Sequence, residues 1–385
     1  MSKVKWIAIL AIIVAIIVTM TVVPGCKKTT GETAAATTAA AETTVAAETT
    51  AAATTMSPDQ LKLAFVIHIA IPFTDAIRRG AEAAAKDYGV SIDVVAPSKY
   101  DVMEQISLFE AELAKGVQGI ATVAADAKAW EVPTNNAIDK GILVYHANVG
   151  APASKVTGIV GISGYQDGLI LGDAMFKLPE VQALGLGNDV KVVVTECDPS
   201  LPVLQGRGNG VMDVMKEKAP NREVLGPFVE GMSDEAAYTY YETQFTATPD
   251  VDIMISSCAF GVPAMTKHKE KTPEAKYIVV GYDLAIALDG IKSGIGSLTL
   301  GQRPFFQGYL PVMAMCEYFL KGNPLATGWI SPGNDVVNKD NIDEVIAREN
   351  DPAKEYAFYM QVLKDEFTPL WEKGKPYSEF NETGR

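Results

Sequence analysis

Polar residues recur where short apolar runs end: His68, Asp126, His146, Asn148, Cys197 with Asp198, Ser256 to Cys258, Asp283 and Gln302. In an open parallel sheet these positions, just past the carboxyl ends of the strands, are where ligands sit. Phe73, Trp130, Phe260, Phe305 and Phe306 bring flat apolar surface to the same neighbourhoods. Carboxylates and amides hydrogen-bond hydroxyls, and rings cover apolar faces. The combination suits a neutral, hydroxyl-rich ligand.

Each of these residues also has a structural reading. His68 and His146 could be satisfied core histidines. Asp126 stands where the next helix needs an N-cap. Trp130 could pack within that helix, and Arg207 could pair with a carboxylate. Asn148 and Asp283 end strands, so a turn role competes with ligand contact. Cys197 and Cys258 could be small core residues, neighbours at a cleft, or a disulfide. Covalent and metal chemistry find no motif. The chain has no G-x-S-x-G, no G-x-x-x-x-G-K-[ST], no H-E-x-x-H and no C-x-x-C. "GRGNG" at 206–210 is not a dinucleotide fingerprint. The 3 His, at 68, 146 and 268, are too scattered for a metal set, and no calcium-loop pattern appears. The reading is a binding protein with no enzyme activity, cofactor or metal.

The elements that position these residues alternate strand and helix. Strands are expected at Leu61–His68, Ser91–Ala96, Gly119–Ala124 and Ile142–His146. Helices are expected at Phe73–Tyr88, Asp101–Lys115 and Ala127–Lys140. Phe73, Ile77, Ala81, Ala84 and Tyr88 share one helix face, and Gly89 ends it. After a break near 147–165 the rhythm resumes, with strands at Asp189–Thr195, Glu223–Val229, Asp252–Ser256, Lys276–Tyr282 and Gly296–Leu300. Helices are expected at Gly206–Glu217, Asp234–Phe245, Val262–Lys269, Ala285–Ser293 and Gln307–Leu320. Apolar strands alternating with helices mean parallel sheets covered on both faces. "GVQGIATVAAD" with "KGILVYHANVG" parallels "DVDIMISSCAF" with "AKYIVVGYDLA". The chain therefore reads as α/β, with two similar Rossmann-like lobes.

The 385 residues allow about two domains. A net charge of −14 argues against nucleic acid as a partner. Residues 1–26 begin with Lys3 and Lys5 and continue as an apolar run from Trp6 to Val23. That run reads either as an uncleaved anchor helix or as a leader ending in Val23-Pro24-Gly25-Cys26, which resembles a bacterial lipobox. In the lipobox reading 1–26 is a lipoprotein signal peptide and Cys26 carries the lipid. Either way the chain is tethered to the extracytoplasmic face of the cell membrane. Residues 27–56 are rich in Thr and Ala, lack aromatics and read as a disordered tether. With Cys26 lipidated, three cysteines remain, so at least one is unpaired.

From about 61 to 345 the chain resembles the sugar-type solute-binding proteins of ABC importers, with the type I periplasmic-binding-protein fold. "PFTDAIRRGAEAAAKDYG" looks like that family's first helix, "QGRGNGVMDVM" like the first helix of its second lobe, and "YIVVGYDLAIALDGIKSGIGSLTLGQRPFFQG" like its hinge region. "SPGNDVVNKDNIDEVI" looks like its closing strand and last helix. The resemblance implies an N-terminal lobe from 57–160 plus 303–332. It implies a C-terminal lobe and tail from 161–302 plus 333–385, with hinge crossings near 147–162, 300–306 and 330–335. It implies ligand contacts from His68, Phe73, Asn148, Gln205, Arg207, Ser257, Cys258, Asp283 and Gln302. Phe73 falls where the family stacks an aromatic on the sugar, and Arg207 where an Arg forks onto adjacent hydroxyls. Asn148-Val149 departs from the Asp-Arg pair of ribose-type members, and "SSCAFGVPAM" with His68 looks closer to the rhamnose and autoinducer branch.

The function so implied is capture of a small sugar or polyol between two closing lobes and delivery to a membrane permease. The alternatives are a nucleoside or furanosyl-autoinducer ligand, or ligand sensing for a signalling partner.

Overall fold

The computed structural model describes residues 55–185 and 190–384. The leader, Cys26 and nearly all of the Thr/Ala stretch lie outside the described residues. No helix among the described residues is long and apolar enough to cross a membrane.

The first lobe is built from β1 (Lys62–Val66), α1 (Pro72–Tyr88), β2 (Ser91–Val95), α2 (Val102–Ala114), β3 (Gly119–Thr122), α3 (Ala127–Asp139), β4 (Leu143–Asn148) and β5 (Gly158–Gly161). The second follows with α4 (Gly164–Met175), α5 (Pro179–Ala183), β6 (Lys191–Glu196), α6 (Pro202–Lys218), β7 (Glu223–Val229), α7 (Asp234–Ala247) and β8 (Ile253–Ser256). It continues through α8 (Gly261–Lys271), β9 (Ile278–Tyr282), α9 (Leu288–Lys292) and β10 (Leu298–Gly301). Then come α10 (Pro304–Lys321), β11 (Gly328–Ile330), β12 (Asp335–Val337), α11 (Ile342–Glu349) and α12 (Pro352–Glu366).

The strands form two six-stranded sheets, β11-β5-β4-β3-β1-β2 and β12-β10-β9-β8-β6-β7. Every pairing is parallel except β10 with β12. Side-chain alternation feeds a core on each face of each sheet. In β1, Leu63 and Phe65 enter the core under α1 and α10, while Ala64 and Val66 enter the one under α2 and α3. In β6, Val192 and Val194 face α4 and α6, while Val193 faces α7 and α8. The expected α/β architecture of two like lobes is what the chain adopts.

Local chemistry explains the helix ends. The Asp101 carboxylate accepts from the amides of Met103 and Glu104 at 3.0 Å each. Asp126 caps α3 by accepting from Ala129 N at 3.0 Å, which is the structural reading of that residue. Gly89 closes α1 in the left-handed conformation, at φ 67°.

The chain crosses between lobes at 162–163, 302–303 and 331–334, between the last residue of one lobe's element and the first of the other's. Two expectations differ from the structure. The break near 147–165 contains β5 and runs into α4. The sequence reading groups 333–385 with the second lobe. In the structure β12 and α11 belong there, but Tyr359, Val362, Phe367 and Leu370 of the tail lie in the first lobe's core. Tyr359 stacks on Phe305 at 4.7 Å between centroids, so burial of this aromatic group decides the tail's place. The same stacking takes Phe305 and Phe306, both nearly fully buried, out of ligand reach.

Candidate functional site

Two equivalent strands end in the same unusual way. Asn148 closes β4 at φ 62° and Asp283 follows β9 at φ 66°. With Arg303 at φ 48° they are the non-glycine residues with positive φ among those described. Asn and Asp tolerate this region better than most residues, and such conformations cluster at functional sites. The backbone of Asp283 is held on both sides: its N–H donates to Leu300 O at 2.9 Å, and its carbonyl accepts from Thr299 Oγ1 at 2.6 Å.

Gln302, on the second crossing, joins the two strand ends. Its Oε1 accepts from Asn148 Nδ2 at 3.3 Å, and its Nε2 donates to the Asp283 carboxylate. Asn148 Nδ2 also donates to Gln307 Oε1 at 3.0 Å, and Gln307 Nε2 donates to Gln302 O at 2.8 Å. The amides thus form a chain from the first lobe, through the hinge, to the second lobe's carboxylate.

Arg207 lies in α6 beneath this chain, 3% exposed. Its Nη1 donates to Ser257 O at 3.0 Å, and its guanidinium sits 4.2 Å from the centroid of the Tyr282 ring. Its Nη2 is 3.9 Å from Asp167 Oδ2. Asp167 belongs to α4, a helix that the sequence pattern does not predict and that starts at the end of the break near 147–165. It is placed by glycine: a Cβ on Gly168 would stand 2.3 Å from Arg207 O, and one on Gly210 2.4 Å from Tyr165 O. Only bare backbone lets α4 and α6 come this close. Asn334, on the third crossing, donates to Asp167 Oδ1 at 3.0 Å. Burial pushes the Asp167 carboxyl up to about 6, against the pull of Arg207 and Asn334. Burial likewise raises Asp283, with Arg207 and the Gln302 amide opposing.

Cys197 and Cys258 are paired as a disulfide, with Cα atoms 5.8 Å apart. That settles the three readings of these residues and leaves Cys316 as the buried free thiol among the described residues. Cys258 therefore reaches the cleft only through its backbone. Glu230 lies within 4.8 Å of both sulfurs, but the sulfurs bind each other and the carboxylate accepts from Thr195, Tyr241 and Ser256.

His68 is half-buried after β1, edge-on to Tyr100 at 6.1 Å between centroids. Burial lowers its imidazole to about 4, so it is neutral at pH 7. Phe73 is half-buried in the first turn of α1 and packs against the first lobe's core. Neither residue shares a hydrogen bond with the amide chain. Gln205 is exposed on α6, its amide donating to Pro199 O. His146 is fully buried between Thr134 Oγ1 at 2.9 Å and Ala151 N at 3.1 Å, which is the core-histidine reading. Trp130 packs edge-on to Phe109 in the core beside α2 and α3.

The structure thus joins Asn148, Gln302 and Asp283 in one network and Arg207 with Ser257 in another. It adds Asp167, Tyr282, Gln307 and Asn334, which the sequence reading missed. The available signal was the spacing Gly164, Gly168 and Gly172, a small-residue face that makes a helix pack closely. His68 Nδ1, Asp167 Oδ2, Arg207 Nε, Ser257 Oγ and Tyr282 Oη are buried without a hydrogen-bond partner among the described residues. Native interiors rarely strand polar atoms, and here five fall near the carboxyl ends of strands or on the helix beneath them.

A family model described as "Periplasmic binding protein domain" matches residues 64–324. A xylose/arabinose-binding protein of Sulfolobus acidocaldarius is 22% identical over 299 residues, covering 73% of this chain and 72% of its own. Two solved structures superpose well. A solute-binding protein of an ABC transporter from Burkholderia graminis, in complex with D-arabinose, has TM-score 0.67 and 24% identity, covering 74% of this chain and 98% of that one. A periplasmic ribose ABC transporter protein from Conexibacter woesei has TM-score 0.67 and 20% identity, covering 76% and 96%.

Proposed function

The chain belongs to the periplasmic binding protein domain family, and we propose that it is the extracytoplasmic receptor of an ABC importer for a small neutral sugar or polyol. The observation that carries this reading is the set of buried, unpartnered polar atoms on both lobes: His68 Nδ1 in the first, Arg207 Nε and Ser257 Oγ in the second. Unpartnered donors and acceptors suit vicinal hydroxyls, each of which donates and accepts. Asp283 and Asn148 supply an acceptor and an amide at the hinge, and Phe73 an apolar face. The sugars for which these relatives are named or with which they are bound, xylose, arabinose and ribose, support a pentose as the first ligand to test.

The mechanism is closure without covalent chemistry. Three crossings let the lobes rotate, and a ligand that bonds both lobes favours the closed form by its extra affinity for it. The closed form then docks on the permease. Cys26 anchors the receptor to the membrane in this reading, which rests on the lipobox-like sequence.

A thermal-shift panel tests the ligand. The full chain, purified in detergent and freed of carried-over ligand by unfolding and refolding, is heated with pentoses, hexoses, deoxyhexoses, polyols, nucleosides and the furanosyl autoinducer. A sugar at about 1,000 times its Kd adds roughly 4 kcal/mol, which is several degrees in Tm. A shift confined to one sugar or polyol class is expected. A shift only with nucleosides or the autoinducer, or none at all, overturns the proposal. Metabolic labelling with palmitate tests the anchor, and a label retained in Cys26→Ser overturns it.

A further inference from the structure

We infer that the Cys197–Cys258 disulfide is a positioning element of the ligand site, so that opening it weakens sugar binding while the second lobe stays folded. The inference rests on the sugar-binding reading above.

The bridge links the residues just past two adjacent strands. β6 and β8 run parallel with Thr195 opposite Ser256; Cys197 follows β6 directly, and Cys258 stands two residues past the end of β8. Between Ser256 and Cys258 lies Ser257, whose carbonyl receives Arg207 Nη1 at 3.0 Å and whose hydroxyl is buried without a partner. The bridge therefore fixes the peptide that holds the guanidinium.

The sulfurs also organise a small core of their own. Cys197, Leu204 and Cys258 are buried together, with Leu201, Val203 and Phe260 packed against them. Leu204 lies in the first turn of α6, the helix that carries Arg207. Its buried residues are distinct from those of the two larger cores that hold the second sheet, and Phe260 packs against it and one of them alike. Loss of the bridge loosens α6 at its start and the 257–260 loop, but leaves those cores intact. Ser257 N still donates to Thr195 O at 2.9 Å and Cys258 N to Ser256 Oγ at 3.1 Å, so the sheet edge survives as well. A site held to within a fraction of an ångström by its supporting shell loses affinity when that shell relaxes.

Reduction is a two-electron step. A dithiol reagent breaks the S–S bond, each sulfur takes one hydrogen, and the reagent leaves as its cyclic disulfide.

Peptide mapping of the oxidised full chain should recover Cys197 crosslinked to Cys258. Titration calorimetry at 20 °C with D-xylose, L-arabinose and D-ribose then compares oxidised protein, protein held in dithiothreitol, and the Cys197→Ser/Cys258→Ser variant. The expected result is a Kd about tenfold higher in both samples that lack the bridge, with circular dichroism unchanged. A merely structural bridge would lower Tm and leave the 20 °C Kd alone. Equal Kd values in folded samples, absence of the crosslinked peptide, or outright unfolding on reduction each overturn the inference. If the double variant fails to fold, the reduced native protein carries the comparison. Oxidised protein that binds none of the three sugars, nor any sugar of the wider panel, sinks the sugar reading itself, a result distinct from binding that ignores the bridge.

Discussion

In the first lobe the candidate site rests on His68, Phe73 and Asn148, none of which is charged at neutral pH. In the second it rests on Arg207 and Asp283, backed by Asp167, Tyr282 and a disulfide. The second half is fixed before any ligand arrives: Arg207 is buried, stacked on Tyr282 and bonded to Ser257. In the first half Asn148 is tied to Gln302 and Gln307, while His68 stands edge-on to Tyr100 and shares no hydrogen bond with the amide chain among the described residues. Under the proposed function, the prearranged charged half would hold the ligand and the neutral half would close over it. Removal of a packed side chain from the second half is then expected to cost both fold stability and affinity, and damage to the first half affinity alone.

The largest effect should come from Arg207→Ala. It strands Asp167 in the interior and empties the space over Tyr282. Removing one partner of a buried ion pair costs about 3–5 kcal/mol, so urea unfolding should show a loss of that order together with sugar affinity down by 100-fold or more. Unchanged stability would break the contrast between the lobes. Asp283→Asn sharpens it. Asn also tolerates positive φ, so the backbone at φ 66° is preserved and only the charge is removed. Affinity should fall by roughly 10-fold to 100-fold, the worth of a charged hydrogen bond or two, with little change in Tm. His68→Ala and Phe73→Ala, on the first lobe, should weaken binding by roughly tenfold or less through one lost hydrogen bond or apolar contact. A larger stability loss there than in Arg207→Ala would reverse the assignment.

The contrast also explains what the sequence could disclose. The strands and most helices are legible because apolar runs and periodic faces are local properties: α1 is closed by Gly89 as expected, and α2 starts one residue after the expected Asp101, which caps it. Asn148, Asp283 and Gln302 are legible because each follows a buried strand. Asp167 is not, since its helix carries Gly164, Gly168 and Gly172, which lower helix propensity for the sake of contact with α6. β5, with glycines at both ends, is short enough to pass for a loop. The tail's attachment to the first lobe depends on Tyr359 meeting Phe305 across the fold, a long-range pairing that no local pattern reports. The disulfide lay among open alternatives because pairing requires the two strands to be neighbours, which is a matter of topology.

Protonation offers the finest test of the difference between lobes, because buried His146 of the first and buried Asp167 of the second respond to acid with opposite sign. His146 in the first lobe is fully buried and its imidazole is lowered by burial to about 3, and His68 to about 4. Below pH 6.5 the unfolded chain takes up these protons and the folded chain does not, so each histidine costs stability as pH falls, at about 1.4 kcal/mol per pH unit. Asp167 in the second lobe is raised to about 6. Between pH 6 and its ordinary value near 3.8 the folded chain holds a proton that the unfolded chain has lost. Its contribution is therefore fully present below 3.8 and is lost as pH rises through 6, the reverse slope. Urea unfolding at half-unit steps from pH 7 to 4.5 should show a shallower decline in His146→Gln than in the parent, by about one proton's slope. Asp167→Asn should decline more steeply over pH 6 to 4.5, because the opposing proton is gone. Comparing each variant with the parent cancels every other titrating group. Parallel curves for all three proteins would mean that neither buried group differs between folded and unfolded chains, and the electrostatic distinction between the lobes would go with it.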